Sequence, residues 1–402
     1  MAAQTFDIQV LVVGAGPAGT VLALELARHN VRTLVVERSR AALTRPKVDW
    51  LSTRSMALLD QLGLGQPIRD RAARLADATD LLWTIGLDQP PVLAWQQPAA
   101  GGTRIPGVAL EQLARTAVRA HPLIDVREGW TCVDLRREPT GVVATLADAD
   151  TGRYHTVRAR YLAGCDGADS TVRRCLRIAL DDAPTDTGYC TVYFRSSDEL
   201  LRRSCSAFAT VSAPGVTLVS HDSAGTWSAV LGGPADEPLT DPMALVRRRI
   251  GAPVEVDQVV AVVQREGAFP IASTYRKGAA YLVGDAAHPF YPAYHHAGDI
   301  TLADAAELAG TLAAALATAA AGEPPDGYGP VRRPVALVVR ELCTARLQLE
   351  RRFARLCAAG LSRDRLAGIL RREMWQAGGP AVHFGQWCDP EPEGEGEAVT
   401  AG

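Results

Sequence analysis

The chain has 402 residues, of which 47% are hydrophobic, and carries a formal net charge of -3. Length and apolar content describe a globular chain with a substantial core and two or three domains' worth of sequence. The near-balanced charge excludes a partner such as nucleic acid, whose phosphates need a basic excess to neutralise them.

Eight cysteines (132, 165, 175, 190, 205, 343, 357 and 388) are scattered with no CxxC pair and no metal-ligand spacing. They read as free, mostly buried thiols of a cytoplasmic chain, with no metal. The N-terminus lacks the basic region of a signal peptide. The small-apolar stretch from Leu308 to Ala321 falls short of the ~18 residues a membrane span needs, so no membrane partner is expected. The basic run Arg247-Arg248-Arg249 reads as a solvated helix face.

Residues Phe6 to Val13 form an apolar run suited to a strand buried on both faces. Gly14-Ala-Gly-Pro-Ala-Gly19 follows, then a helix from Thr20 to His29 and a second apolar strand, Val31 to Glu37. Strand, turn, helix and strand together have the size of one βαβ unit. Helices are expected at Arg54 to Leu62 and Leu110 to Ala120, and a strand-like stretch from Leu81 to Trp95. Val142 to Leu146 and Tyr154 to Ala159 flank Asp150-Thr-Gly152 as a hairpin. A separate short strand, Tyr161 to Cys165, enters Asp166-Gly167. Strand-like runs at Val216 to Ser220, Trp227 to Leu231 and Val259 to Glu266 suggest a sheet on the substrate side. Tyr281 to Val283 is a short strand ending at Gly284-Asp285. An Ala-rich helix is expected from Leu302 to Ala320, and one or two long helices from Val331 to Arg372. The Pro-, Glu- and Gly-rich tail from Asp389 has no apolar period and reads as disordered.

The glycine motif has a mechanical rationale. Gly14 permits a tight turn after the strand, Gly16 lets the backbone approach a pyrophosphate, and Gly19 lets helix and strand pack closely. The helix N-terminus offers free N–H groups to phosphates. Glu37, 18 positions beyond Gly19, ends the second strand where a carboxylate meets ribose hydroxyls. The motif alone leaves FAD and NAD(P) undistinguished.

Two later segments carry a resemblance. Tyr161-Leu-Ala-Gly-Cys-Asp166-Gly167-Ala-Asp-Ser170-Thr-Val-Arg173 resembles the Asp-Gly motif of the group A flavoprotein monooxygenases. That family includes para-hydroxybenzoate hydroxylase and the aromatic polyketide hydroxylases. Ala280-Tyr-Leu-Val-Gly284-Asp285-Ala-Ala-His288-Pro is similar to its second Gly-Asp motif, and Tyr328-Gly-Pro-Val-Arg332-Arg333-Pro334 to a later helix start. The three FAD motifs stand in family order and spacing, so the resemblance covers residues from about 6 to 390.

The resemblance implies an α/β fold: an FAD-binding Rossmann-like (GR2-type) domain with an inserted mixed-sheet substrate domain and C-terminal helices. The FAD-binding domain is expected to be discontinuous (1–75, 104–180 and 270–345). The substrate sheet would take 76–103 and 181–269, the C-terminal helical segment 346–388 and the tail 389–402. The chain looks like the shorter version, without the C-terminal thioredoxin-like domain of many polyketide hydroxylases. Implied cofactor-binding residues are Gly14, Gly16, Ala18, Gly19, Glu37, Arg38, Lys47, Asp166, Gly284, Asp285, Ala297 and Gly298. Asp285 would contact the ribityl or ribose hydroxyls of FAD.

The implied activity is an FAD-dependent hydroxylase that uses NAD(P)H and a flavin C4a-hydroperoxide on an aromatic or polyketide-type molecule. The protein would be a monomer or homodimer. Tyr193 and Trp227 are candidates for lining the substrate site, against a reading of each as ordinary core. Where the family has a glycine-rich loop and an Asn, this sequence has Tyr294, His295 and Asp299; a carboxylate there would repel a reduced flavin. Gly107 stands for a frequent Gln, Lys47 stands near a frequent Arg, and Asp169 replaces a frequent Arg. His295, His296 and Tyr294 are acid–base candidates. These departures keep two alternatives open: a non-redox cyclase or rearrangement enzyme with FAD structural or lost, and an inactive partner of a biosynthetic complex.

Overall fold

A computed structural model describes residues 7–42, 44–46, 48–72, 81–95, 103–105, 108–181, 188–222, 225–233, 241–265, 269–290, 296–318 and 324–376. Strand β1 (Ile8–Val13) runs into helix α1 (Pro17–Arg28) and strand β2 (Thr33–Glu37), as the apolar runs predict. Helix α2 (Ala109–Ala120) and strand β3 (Tyr154–Gly164) follow. The first sheet has the order Arg276–Lys277, Ala280–Leu282, β3, β1, β2, Ile124–Glu128. Its four central pairings, from Ala280–Leu282 to Ile124–Glu128, are parallel. The two short strands expected at Tyr154 to Ala159 and Tyr161 to Cys165 are one strand of 11 residues. Its first half pairs antiparallel with Gly141–Asp148 and its second half parallel with β1. The apparent break in pattern marks this change of partner: half-exposed alternation gives way to residues buried on both faces.

The second sheet contains β4 (Gly188–Arg195), β5 (Val216–Ser220) and β6 (Thr226–Gly233), in the order Gln258–Arg265, β4, β6, β5, Ala209–Ser212, Leu81–Thr84, Leu93–Trp95. It is mixed, because Ala209–Ser212 pairs parallel with Leu81–Thr84. The two-residue period of a strand divides its side chains between two faces. Val192, Phe194, Leu218, Ala229 and Leu231 form a core with helix α3 (Pro242–Ile250). Tyr189, Thr191, Tyr193, Val219, Ser228 and Val230 face a cavity instead. Asp241 caps α3, accepting the Ala244 N–H at 2.9 Å, and the basic run Arg247 to Arg249 occupies its last turn.

Helix α4 (His296–Ala317) starts earlier than its Ala-rich stretch suggests. From Ala297 it is long and apolar enough to cross a membrane. Here it packs against α1, with Ile300, Leu302, Ala305, Leu308, Ala309 and Leu312 buried in the main core. Helices α5 (Tyr328–Ala358) and α6 (Arg363–Gln376) complete the described chain. The boundary expected between 345 and 346 falls inside α5, whose hydrogen bonding is continuous there. The far end of α5 and α6 cover the second sheet, with Phe353 edge-on to Trp83 at 5.0 Å. The tail expected to be disordered, 389–402, lies outside the described residues.

Candidate functional site

The glycine turn has the geometry its residues require. Gly14 has φ +104, and a Cβ there would lie 2.4 Å from the Cys165 carbonyl oxygen. A Cβ on Gly19 would lie 1.9 Å from the Gly14 carbonyl oxygen. These two glycines let strand, turn and helix close on one another. At Gly16 a Cβ would meet nothing within 4 Å, because that position faces the cavity. No side chain caps α1, whose first turn begins with Pro17, so its N–H groups are available to an anion.

Glu37 closes the arrangement. Its Oε2 accepts the Ala15 N–H at 2.7 Å and its Oε1 the Ser39 N–H at 2.8 Å. Buried Arg115 on α2 donates to the carbonyl oxygens of Ala15 and Ser39, both at 3.1 Å. The same guanidinium lies 3.1 Å from Glu111 and 3.7 Å from Glu37. This clamp fixes the strand end against the turn. Arg115 and Glu111 both line the cavity, and both were missed by sequence reasoning. Their signal was only a charged i, i+4 pair on an amphipathic helix, which ordinarily marks a solvated face.

The cavity has a volume of about 380 Å³ and runs from the glycine turn to the inner face of the second sheet. Of the predicted cofactor residues, Gly14, Gly16, Ala18, Glu37, Arg38, Asp166, Asp285, Ala297 and Gly298 line it. Gly19 and Gly284 do not; they serve packing, with a Cβ on Gly284 lying 2.8 Å from Thr301. Lys47, Tyr294 and His295 lie outside the described residues, as does Gly107. His296 opens α4, and its side chain is outside the description. Tyr193 lines the cavity, whereas Trp227 points into the opposite core and donates to the Ser196 carbonyl at 3.3 Å. A cradle open at Gly16, with an acid at the strand end, suits a dinucleotide.

The two acid motifs are tied together by Arg173, which donates to the carbonyl oxygens of Ala286 and Ala168, both at 2.8 Å. Asp166 spends its carboxylate locally, accepting from Ser170 Oγ at 2.5 Å and Val172 N at 3.0 Å. Behind the Gly-Asp motif, buried His288 lies 2.7 Å from Asp304, and Asp304 accepts from Arg332 Nε at 2.7 Å. Burial alone would raise the Asp304 carboxyl, but Arg332 and His288 outweigh it and hold it below the usual range. The resemblance flagged His288 and Arg332; Asp304 joins them.

Asp299 corrects an expectation. Its carboxyl does not line the cavity but turns toward Ser52 and Ser55, so it is not set against a flavin ring. Burial pushes its proton affinity up, against the hydrogen bonds from the two serines. The cavity thiols Cys132 and Cys165 are also pushed up by burial, Cys132 to about 12, which leaves them unreactive.

On the sheet side, three polar residues converge. His221 Nδ1 lies 2.8 Å from Asp49 Oδ1, and its Nε2 lies 2.9 Å from Ser228 Oγ. The Thr191 hydroxyl is buried in the same wall with no hydrogen-bond partner among the described residues. None of these four stands out in the sequence, because strand pairing and the loop before Trp50 bring them together only in the fold.

Fold and cavity together define an α/β flavoprotein with a GR2-type dinucleotide site. The FAD binding domain family matches residues 7–341, and the chain belongs to that family. It is 26% identical over 364 residues to the FAD-dependent monooxygenase apdD of Emericella nidulans, covering 81% of this chain and 58% of that protein. It is 30% identical over 360 residues to the rifampicin monooxygenase of Streptomyces venezuelae, covering 85% of this chain and 71% of that one. The chain thus spans under three fifths of the length of the first of these relatives. Its structure is similar to that of the rebeccamycin biosynthetic enzyme RebC with reduced flavin. The TM-score is 0.80 at 26% identity, over 94% of this chain and 76% of that one.

Proposed function

We propose that the chain is an FAD-dependent monooxygenase that hydroxylates an aromatic or polyketide-type small molecule, with NAD(P)H as reductant. The observation that carries this reading is the single cavity shared by the glycine turn and the inner face of the second sheet. Cofactor and substrate would meet there without crossing bulk water.

Gly16 and Ala18, with the α1 N-terminus, would hold the pyrophosphate, and Glu37 the adenosine ribose. Asp285 would take the ribityl hydroxyls. The start of α4, at Ala297 and Gly298, would present backbone N–H groups to the ring end. Bound FAD supplies the oxygen-activating redox chemistry. The chain's own part is position and a dry site. Val219, Val230 and Val263 give an apolar wall for a flat ring system, with Thr191 and Tyr193 as polar points. Tyr193 stays a neutral donor, since burial pushes its hydroxyl up to about 12. The relatives named above are monooxygenases, which supports this reaction class. We read the protein as cytoplasmic, and the one long apolar helix among the described residues as a core helix rather than an anchor.

The test is the visible spectrum of the purified protein, followed by NAD(P)H oxidation and oxygen uptake with a polycyclic phenol. A yellow protein that couples both to product formation supports the reading. A protein that stays colourless after incubation with FAD overturns it. Product formed without oxygen or reductant would transfer the reading to a non-redox enzyme on the same scaffold.

A further inference from the structure

The sheet-side wall carries an acid–base group that redox chemistry alone does not require. Asp49 comes from the loop before Trp50, His221 follows β5 and Ser228 lies in β6. Three separate segments deliver them to one wall of the cavity. His221 and Ser228 are only 4% and 3% exposed. With the Asp49 carboxylate as acceptor, His221 carries its hydrogen on Nδ1, and Nε2 accepts from the Ser228 hydroxyl. The Ser228 oxygen then keeps lone pairs for a further donor.

We propose that Asp49, His221 and Ser228 form a proton relay that ionises a phenolic or enolic hydroxyl of an aromatic molecule bound in the cavity. The inference rests on the reading of this cavity as the substrate site. The proton of the bound hydroxyl passes to Ser228 Oγ, while the Ser228 proton passes to His221 Nε2. The products are an oxyanion on the bound molecule and an imidazolium paired with Asp49. An electron-rich oxyanion is what a hydroxylation or a ring closure on an aromatic framework needs, so the relay serves either chemistry.

The surroundings favour a base over a nucleophile. Ser228 lies mid-strand, paired to Tyr193 on one side and to Val219 on the other. The backbone around it therefore belongs to the sheet ladder and offers no oxyanion hole, which acyl transfer would need. Tyr193 stacks beside His221 at 6.1 Å with a 27° interplanar angle. The other charged neighbours are Arg45 and Asp285, which act on Tyr193, and Asp222, which is occupied in accepting the Thr226 N–H at 2.9 Å. Arg104 is turned to the Ser220 carbonyl. Thr191 lines the same space, and its hydroxyl is buried in the wall with no partner among the described residues.

The experiment uses the flavin-loaded, oxidised protein with alizarin (1,2-dihydroxyanthraquinone), whose visible band moves to the red on ionisation. Reductant is left out, so nothing turns over. Bound dye in the parent should show a ratio of ionised to neutral form about tenfold larger than in His221→Gln at the same pH. Gln retains hydrogen-bonding groups for both partners, so a tie that is only structural would survive the change. Ser228→Ala should behave like His221→Gln, and Ser228→Thr should restore the shift. An equal ratio in parent and His221→Gln overturns the proposal, and so does a parent that binds no alizarin. A protein that shifts the dye yet, in the separate assay with reductant and a polycyclic phenol, oxidises no NAD(P)H would refute the monooxygenase reading and leave the relay standing.

Discussion

The Ser52 hydroxyl donates a 2.8 Å hydrogen bond to Asp299 Oδ1 across 247 positions of chain, and the Ser52 N–H reaches the same oxygen at 3.0 Å. Ser52 also caps the helix Thr53–Gln61, accepting from the Ser55 N–H. One carboxyl oxygen therefore joins two helix starts, while Oδ2 is buried with no partner among the described residues.

Burial raises the folded proton affinity of Asp299 above the ordinary 3.8. The folded state then binds more protons than the unfolded chain, so this carboxyl costs stability as pH rises from about 4. Asp299→Asn keeps the acceptor and removes the charge. Its stability relative to the parent should improve on going from about pH 4 toward neutrality, and the difference between the two should become independent of pH below about pH 4. Asp299→Ala loses the acceptor and should be destabilised by roughly 1–3 kcal/mol. Urea denaturation across pH reads both effects.

Gly14 and Gly16 should respond in opposite ways. Gly14→Ala places a Cβ against Cys165 in a backbone with φ +104, and should cost about 3 kcal/mol of stability. Gly16 sits at φ -73 with open space before it. Gly16→Val should leave the melting temperature of the flavin-free protein nearly unchanged but lose FAD, because its side chain fills the cradle. Thermal melts followed by circular dichroism, with flavin content measured beside them, separate the two. Equal flavin retention in Gly16→Val and parent would show that the pyrophosphate does not pass this point.

The local part of this architecture is legible in the sequence. β1, the glycine turn, α1, β2 and Glu37 form one contiguous unit whose contacts are set by near neighbours. Asp166 and Gly167 of the Asp-Gly segment and Asp285 of the Gly-Asp segment line the cavity, whereas Gly284 packs behind it. What stays hidden depends on distant pairing. Asp49, His221 and Ser228 are ordinary polar residues until β5 and β6 align and the loop before Trp50 folds onto them. Arg115 looks like a surface charge because its partners, Ala15, Glu37 and Ser39, lie at least 76 positions away. Asp299 misleads for the same reason: its distance from a family Asn is visible in sequence, but its direction is set by Ser52.

The Asp304 network should show the reverse pH behaviour to Asp299. Its carboxyl is held below the ordinary value by Arg332 and His288 despite complete burial. The unfolded chain binds the proton more readily, so this stability is present above about pH 4 and is lost as pH falls through the folded value. Asp304→Asn leaves a buried guanidinium without its counter-ion and should cost about 3–5 kcal/mol at neutral pH. The gap from the parent should narrow below about pH 4, where the parent's own carboxylate becomes protonated. A gap independent of pH would mean that the hydrogen bonds, not the charge, carry the effect.

Thr191 offers a test in which stability and binding diverge. Its hydroxyl is buried at 2% exposure, unpartnered among the described residues, and set in the cavity wall between Val230 and Val263. Burying a hydroxyl without a partner costs roughly 1–3 kcal/mol, and valine has the same shape without the polar atom. Thr191→Val should therefore raise unfolding stability by about 1 kcal/mol in the ligand-free protein. If that hydroxyl is kept to meet a polar atom of the bound molecule, the same change should weaken binding about tenfold, equivalent to about 1.4 kcal/mol. Urea denaturation gives the first quantity and alizarin titration of the flavin-loaded protein the second. A variant that gains stability and binds the dye as tightly as the parent would show that Thr191 faces only an apolar part of the ligand.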